Sequence, residues 1–206
     1  MKSLSFCLFL TLTLCLFTAP VQATSNTTDK SHQPIYIYRL QPIIEREMLY
    51  LNAQTRFQLP ERVKQALLHE IPLTFVIQLE VLKEKKLLGM DFSDTLYQLS
   101  YQTTLSYYSF NQKFILLNQR NKKVKLLNSL QHALETLGTF EHFAVMPIVQ
   151  LNAYQSQKIR LRIYLDRWQL PSPLTLEALY DSDWKLDSDW VSQPIEFQQD
   201  SQEDGL

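Results

Sequence analysis

Alternation of apolar and polar residues at every second position constrains this chain more than any other feature. Successive side chains of an extended strand point to opposite faces, so a period of two specifies a strand with one buried and one wet side. Leu49, Leu51, Ala53, Thr55 and Phe57 form one such row, opposite Tyr50, Asn52, Gln54 and Arg56. Leu73, Phe75, Ile77, Leu79 and Val81 form the most apolar row, with Thr74, Gln78 and Glu80 on the other face. Tyr97, Leu99, Tyr101, Thr103, Leu105 and Tyr107 make a third, and Phe114 to Leu117 follows it after an Asn111-Gln112 hairpin turn. Ile159, Leu161, Ile163 and Leu165 alternate with Lys158, Arg160, Arg162 and Tyr164. Strands that are wet on one side belong to antiparallel sheets.

Three stretches break the alternation with helical spacing. Val63, Ala66 and Leu67 follow Pro60, a residue tolerated where a helix begins, and Pro72 forbids continuation. Leu130, Ala133, Leu134 and Leu137 follow the capping pair Asn128-Ser129, with Gly138 as terminator. A weaker helix or turn covers Leu174 to Tyr180 after Pro171 and Pro173. The expected class is α+β: a mostly antiparallel β-sheet, or sandwich-like sheet, with two to three short helices packed on it.

The N-terminus predicts export. Lys2 precedes an apolar run, Leu4 to Phe17, and Val21-Gln22-Ala23 places small residues where a signal peptidase cuts. The run is shorter than the roughly 20 residues of a spanning helix. An uncleaved membrane anchor is the alternative. Residues 1–23 therefore read as a signal peptide, 24–33 as a flexible lead-in, 34–197 as a single globular domain and 198–206 as a flexible acidic tail. Cys7 and Cys15 both lie inside the signal, so the exported domain is expected to have no disulfide, cysteine nucleophile or cysteine zinc site. It must hold together by its core.

Composition narrows the function classes. The 20 basic and 21 acidic residues cancel to a formal charge of −1, which gives no footprint for nucleic acid, and 3 glycines leave little for phosphate-cradling loops. Neither a Gly-x-Ser-x-Gly elbow nor a His-Glu-x-x-His pair occurs. His32, His69, His132 and His142 have no ligand spacing, and His69 suits a helix C-terminus. Four aspartates, Asp181, Asp183, Asp187 and Asp189, are of the type that calcium takes, but they lack the spacing of a calcium-binding loop. Parity instead makes a closing strand, with Trp184, Leu186, Ser188 and Trp190 inward and Asp187 and Asp189 in solvent. No cofactor, metal or catalytic group is expected.

Three basic clusters remain. Lys83, Lys85 and Lys86, and likewise Arg120, Lys122, Lys123 and Lys125, read as strand ends and a turn where lysines solubilise and protect edges. Lys158, Arg160 and Arg162 are aligned by alternation on one sheet face: a solvated face, or a surface that steers an acidic envelope protein or an anionic membrane. Tyr97, Tyr101 and Tyr107 would line any cavity between sheet and helices, the feature of a small-molecule or lipid-binding module.

Several of these motifs occur together in a known family. Ile71-Pro72-Leu73-Thr74-Phe75, Ser129-Leu130 with Ala133-Leu134 and Gly138, Asp166 before Leu170-Pro171-Ser172-Pro173-Leu174, and Trp184-x-Leu186-x-Ser188-x-Trp190 recur in that order. By them the chain resembles the exported proteobacterial proteins grouped as domain of unknown function 4390. It departs at Leu87-Leu88, where the family often has paired aromatics, and at Gln193-Pro194, where it closes on tryptophan-proline. The resemblance implies an exported domain in a Gram-negative envelope; that it is a non-enzymatic binding domain is the expectation from the export signal and the missing catalytic motifs. The resemblance also implies a link to a membrane sensor kinase, whose genes often adjoin those of members. It implies no catalytic residues.

Overall fold

The computed structural model describes residues 33–87, 89–152 and 155–197. The signal at 1–23, all of the lead-in except its last residue, and the tail at 198–206 lie outside the described residues. Among the described residues, nine strands form two antiparallel sheets. The smaller has the order β1 (Ile35–Glu45), β2 (Met48–Phe57), β7 (Thr139–Pro147). The larger has six, ordered β6 (Val124–Leu127), β5 (Lys113–Asn118), β4 (Met90–Tyr108), β3 (Leu73–Leu87), β8 (Gln157–Leu165) and β9 (Val191–Pro194). Three short helices complete the α+β fold of the described residues: α1 (Glu61–Leu68), α2 (Leu130–Gly138) and α3 (Ser172–Tyr180).

The alternating rows make the core. Leu73, Phe75, Ile77, Leu79 and Val81 of β3 are all buried, as are Ile159, Leu161, Ile163 and Leu165 beside them on β8. Leu49, Leu51 and Ala53 of β2 belong to the same cluster, and Phe57 meets Phe75 edge-on at 5.6 Å. Apolar area removed from water on these facing rows supplies the main folding drive. Because three strands face six, the inward row of β4 loses its cover towards its start. Leu105 and Thr103 are buried, whereas Tyr101, Leu99 and Tyr97 are half-buried.

The helices obey their terminal signals. Ser129 Oγ accepts from His132 N at 3.2 Å and caps α2. Pro60 and Pro171 occupy the positions just before α1 and α3, and Ile71-Pro72 leads into β3 after Glu70 has taken a left-handed φ of 64°.

The closing segment differs from the expected strand. Ser182–Trp184 is a 3₁₀ turn, Asp187 makes a single bridge to Tyr164, and regular pairing begins only at Val191. Trp184, Leu186 and Ser188 are buried, as alternation requires. Asp189 then adopts φ 54°, a left-handed turn that aspartate tolerates better than most side chains, and the parity is lost. Trp190 consequently leaves the core and lies against Arg160 on the outer face, with 4.2 Å between guanidinium carbon and ring centroid. Asp187 is not a free solvent-facing carboxylate either; it pairs with Arg162.

Candidate functional site

The outer face of the large sheet carries the basic row of β8, and each of its cations is met by a carboxylate. Lys158 Nζ lies 2.7 Å from Glu84 Oε1. Arg160 Nε donates to Glu80 Oε2 at 2.8 Å, and Arg162 Nε donates to Asp187 Oδ1 at 2.9 Å. Register explains the second pair, since Arg160 is directly opposite Glu80. Hydrogen bonds from Lys158 and Ser156 hold the Glu84 carboxyl below its ordinary range, and the bond to Asp187 raises the Arg162 guanidinium above its own. The row is a neutralised ladder whose field closes on itself.

A cluster of cations without carboxylate partners lies on the β5–β6 hairpin. Among the described residues, Arg120, Lys122, Lys123 and Lys125 form no ion pair. The hairpin is braced by its own asparagines: Asn118 Oδ1 accepts from Arg120 N at 2.9 Å, and Asn121 Oδ1 from Lys123 N at 3.0 Å. It overhangs a cleft of about 370 Å³ where β5 and β6 project beyond the smaller sheet. Tyr101, Thr103 and Leu116 make the floor, Leu137, Phe140 and Phe143 a wall, and Lys123 and Lys125 the mouth. Glu141 is the sole acid of the lining.

An aromatic pair with a cation over it marks this cleft. Tyr101 and Phe143 lie nearly parallel at 6.5 Å and 11°. The Arg120 guanidinium is 4.9 Å from the Phe143 centroid and 6.0 Å from that of Tyr101, within cation–π range. Burial pushes the Tyr101 phenol up to about 12, against the opposing pull of Arg120. The phenol is therefore neutral at physiological pH and offers a hydrogen-bond donor in apolar surroundings. Of the tyrosines expected to line a cavity, Tyr101 does so. Tyr107 packs on Phe114 at 4.9 Å, and Tyr97 packs against the core.

Beside the cleft lies the outer edge of β6, which pairs with no further strand among the described residues. Asn118 N donates to Lys123 O at 2.9 Å, so Lys123 and, by alternation, Lys125 and Leu127 turn their main chain towards β5. Val124 and Leu126 then present N–H and C=O groups outward. Their side chains, 58% and 65% exposed, lie on the face opposite the lysines, beside Ile115 and Leu117. The edge thus offers main-chain partners flanked by cations on one face and apolar side chains on the other.

The sequence-predicted polar candidates are occupied locally. His69 Nδ1 is 2.7 Å from Gln65 O at the end of α1, and His142 stacks on Tyr50 at 3.8 Å; His32 lies outside the described residues. Asp181 pairs with Arg62, and its other oxygen accepts from Asp183 N. Among the described residues no three His, Cys, Asp or Glu side chains converge as a metal site would require. Sequence reasoning passed over the hairpin because four cations beside a turn look like solubilising charge. The signal was the sequence Lys123-Val124-Lys125-Leu126, whose strict alternation separates charge from apolar surface.

A family model described as "Domain of unknown function (DUF4390)" matches residues 32–194, nearly the whole of the described chain. No curated protein and no solved structure matches it.

Proposed function

The chain belongs to the domain of unknown function 4390 family, and from that premise we propose that it is a non-enzymatic binding domain of the periplasm, exported by residues 1–23. It captures an extended acidic segment of another envelope protein, of which the outer portion of a membrane sensor kinase is the leading candidate. One observation carries this reading: unpaired cations, an aromatic cleft and an unpartnered strand edge meet at the β5–β6 hairpin.

A peptide added as a seventh strand along β6 would gain main-chain hydrogen bonds at Val124 and Leu126. Every second side chain would fall on the lysine face, which selects acidic residues there. The same lysines discourage pairing of two identical edges, since like charges would oppose each other. The bland reading, edge protection alone, explains Lys123 and Lys125 but leaves the Arg120–Phe143–Tyr101 stack without a purpose.

A second reading rests on the cleft itself. Its volume of about 370 Å³ falls within the range for small ligands, roughly 300–1,000 Å³, and its polar groups suit a small anion with an apolar body. Native mass spectrometry of protein released from its own host separates the two: a retained small mass supports the ligand, a bound polypeptide the capture of a strand. Charge reversal of Arg120, Lys123 and Lys125 to Glu tests the first directly. The triple variant should fold normally and lose its polypeptide partner, and the wild-type complex should weaken above ~0.15 M salt, where the screening length falls below about 8 Å. Undiminished association of the variant at low salt would refute the reading.

A further inference from the structure

We propose that the end of the sandwich at which the chain enters β1 seats on a phospholipid bilayer through Trp168, Leu176, Tyr180 and Phe110. This inference is independent of the cleft and of the β6 edge. Register places the relevant segments together. β1 starts and β2 ends at this end, with Ile35 opposite Phe57, and Phe57 touches Phe75 near the start of β3. β4 ends and β5 begins there, with Tyr108 opposite Lys113, and β8 ends there with Leu165 opposite Phe75. Helix α1, the turn 109–112 and the segment containing α3 therefore cap one end.

Hydrogen bonds and ion pairs brace these pieces into one surface. Glu70 Oε1 accepts from Ser109 N at 2.9 Å and Ser109 Oγ at 2.6 Å, tying the turn to the end of α1. Arg62 of α1 reaches Glu177 at 2.6 Å and Asp181 at 2.8 Å, tying α1 to α3. On that frame Phe110 is 88% exposed, Trp168 73%, Leu176 66% and Tyr180 92%. Leu176 and Tyr180 are four apart and share the helix face turned away from buried Ala178. Scattered exposed hydrophobes are ordinary, but several braced at one end make a patch that calls for a partner.

The choice of a bilayer over a protein rests on three facts. The side chains project from a turn tip, a helix face and a 3₁₀ turn, and none of them lines the cleft. Tryptophan and tyrosine are the residues whose part-polar rings favour the headgroup level of a membrane. The chain enters the described domain at this same end, so the uncharged run Leu4 to Phe17, where the uncleaved anchor is retained, tethers this end to the bilayer. With this end on the bilayer, the β5–β6 turn at the other end of the sheet points away from it.

Trp168 is the exposed tryptophan, Trp184 being buried and Trp190 half-covered beside Arg160, so it reports its own insertion. Host-produced protein, its N-terminus established by intact mass, is mixed with phosphatidylcholine–phosphatidylethanolamine vesicles carrying bromine at defined acyl depths. Shallow bromines should quench the emission, Trp168→Phe should remove that quenching, and Leu176→Ser/Tyr180→Ser should lower partitioning at least tenfold with an unchanged melting temperature. Emission insensitive to vesicles overturns the proposal. So does binding that the double variant leaves intact, which would assign it to the N-terminal run; Leu176→Gln alone serves if the double variant fails to fold.

Discussion

Glu80 sits directly across the sheet from Arg160, and its nearly buried carboxylate accepts from that guanidinium on one side and from Gln98 on the other. The relationship turns a would-be basic stripe into part of the scaffold. Trp190 completes it by covering the guanidinium from outside.

Removing one partner leaves a charge poorly solvated. Glu80→Met should therefore destabilise by about 2–3 kcal/mol, a value below that of fully buried pairs because Arg160 retains partial exposure. Glu80→Met/Arg160→Met should recover most of the loss. A double-mutant cycle by urea unfolding checks it; additive losses would show that the two side chains are not coupled.

Gly138→Ala should destabilise although alanine is the better helix former. A Cβ there would stand 2.8 Å from the Thr55 carbonyl oxygen and 2.8 Å from Phe57 Cε2, inside van der Waals contact. The expected cost is about 1–3 kcal/mol, read as a lower denaturation midpoint at unchanged slope. A neutral or stabilised variant would mean that α2 does not press on β2 as closely as described.

Tyr101 should titrate late. Its phenol moves from 10.0 in an exposed setting to about 12 in the fold, chiefly by burial. The unfolded chain ionises first, so this contribution to stability is complete below pH 10 and is lost as pH rises from 10 to about 12. The difference between wild type and Tyr101→Phe in phenolate absorbance should fall in that upper range. A difference centred at the ordinary tyrosine value would place the ring in solvent and open the cleft floor.

Much of the fold is legible in the sequence because a half-wet strand records its own parity. The rows of β2, β3, β4 and β8 face the core as alternation demands. β1 and β7 escaped because register shifts at Ile37/Arg39 and at Leu49/Tyr50 and Leu51/Ala53 blur the period. Gly138 looked like a left-handed helix stop and is instead a point of close approach. Parity alone turns Trp190 inward, because no local rule announces the positive φ at Asp189. The basic row of β8 was correctly aligned on one face, yet the carboxylates that neutralise it come from β3 and from the segment after α3, pairings that only the tertiary register creates. The cleft was invisible for a similar reason: it exists because three strands face six.

The central claim is that a partner docks along β6, and the most direct measurement is photocrosslinking in the native host from two exposed edge positions of the same sheet. A photoreactive residue replaces Leu126 on the β6 edge or Ser192 on the β9 edge. Position 126 should yield a discrete crosslinked envelope protein, joined through a segment rich in Asp and Glu, and position 192 should not. Crosslinking from 192 instead, or from neither, would contradict that claim.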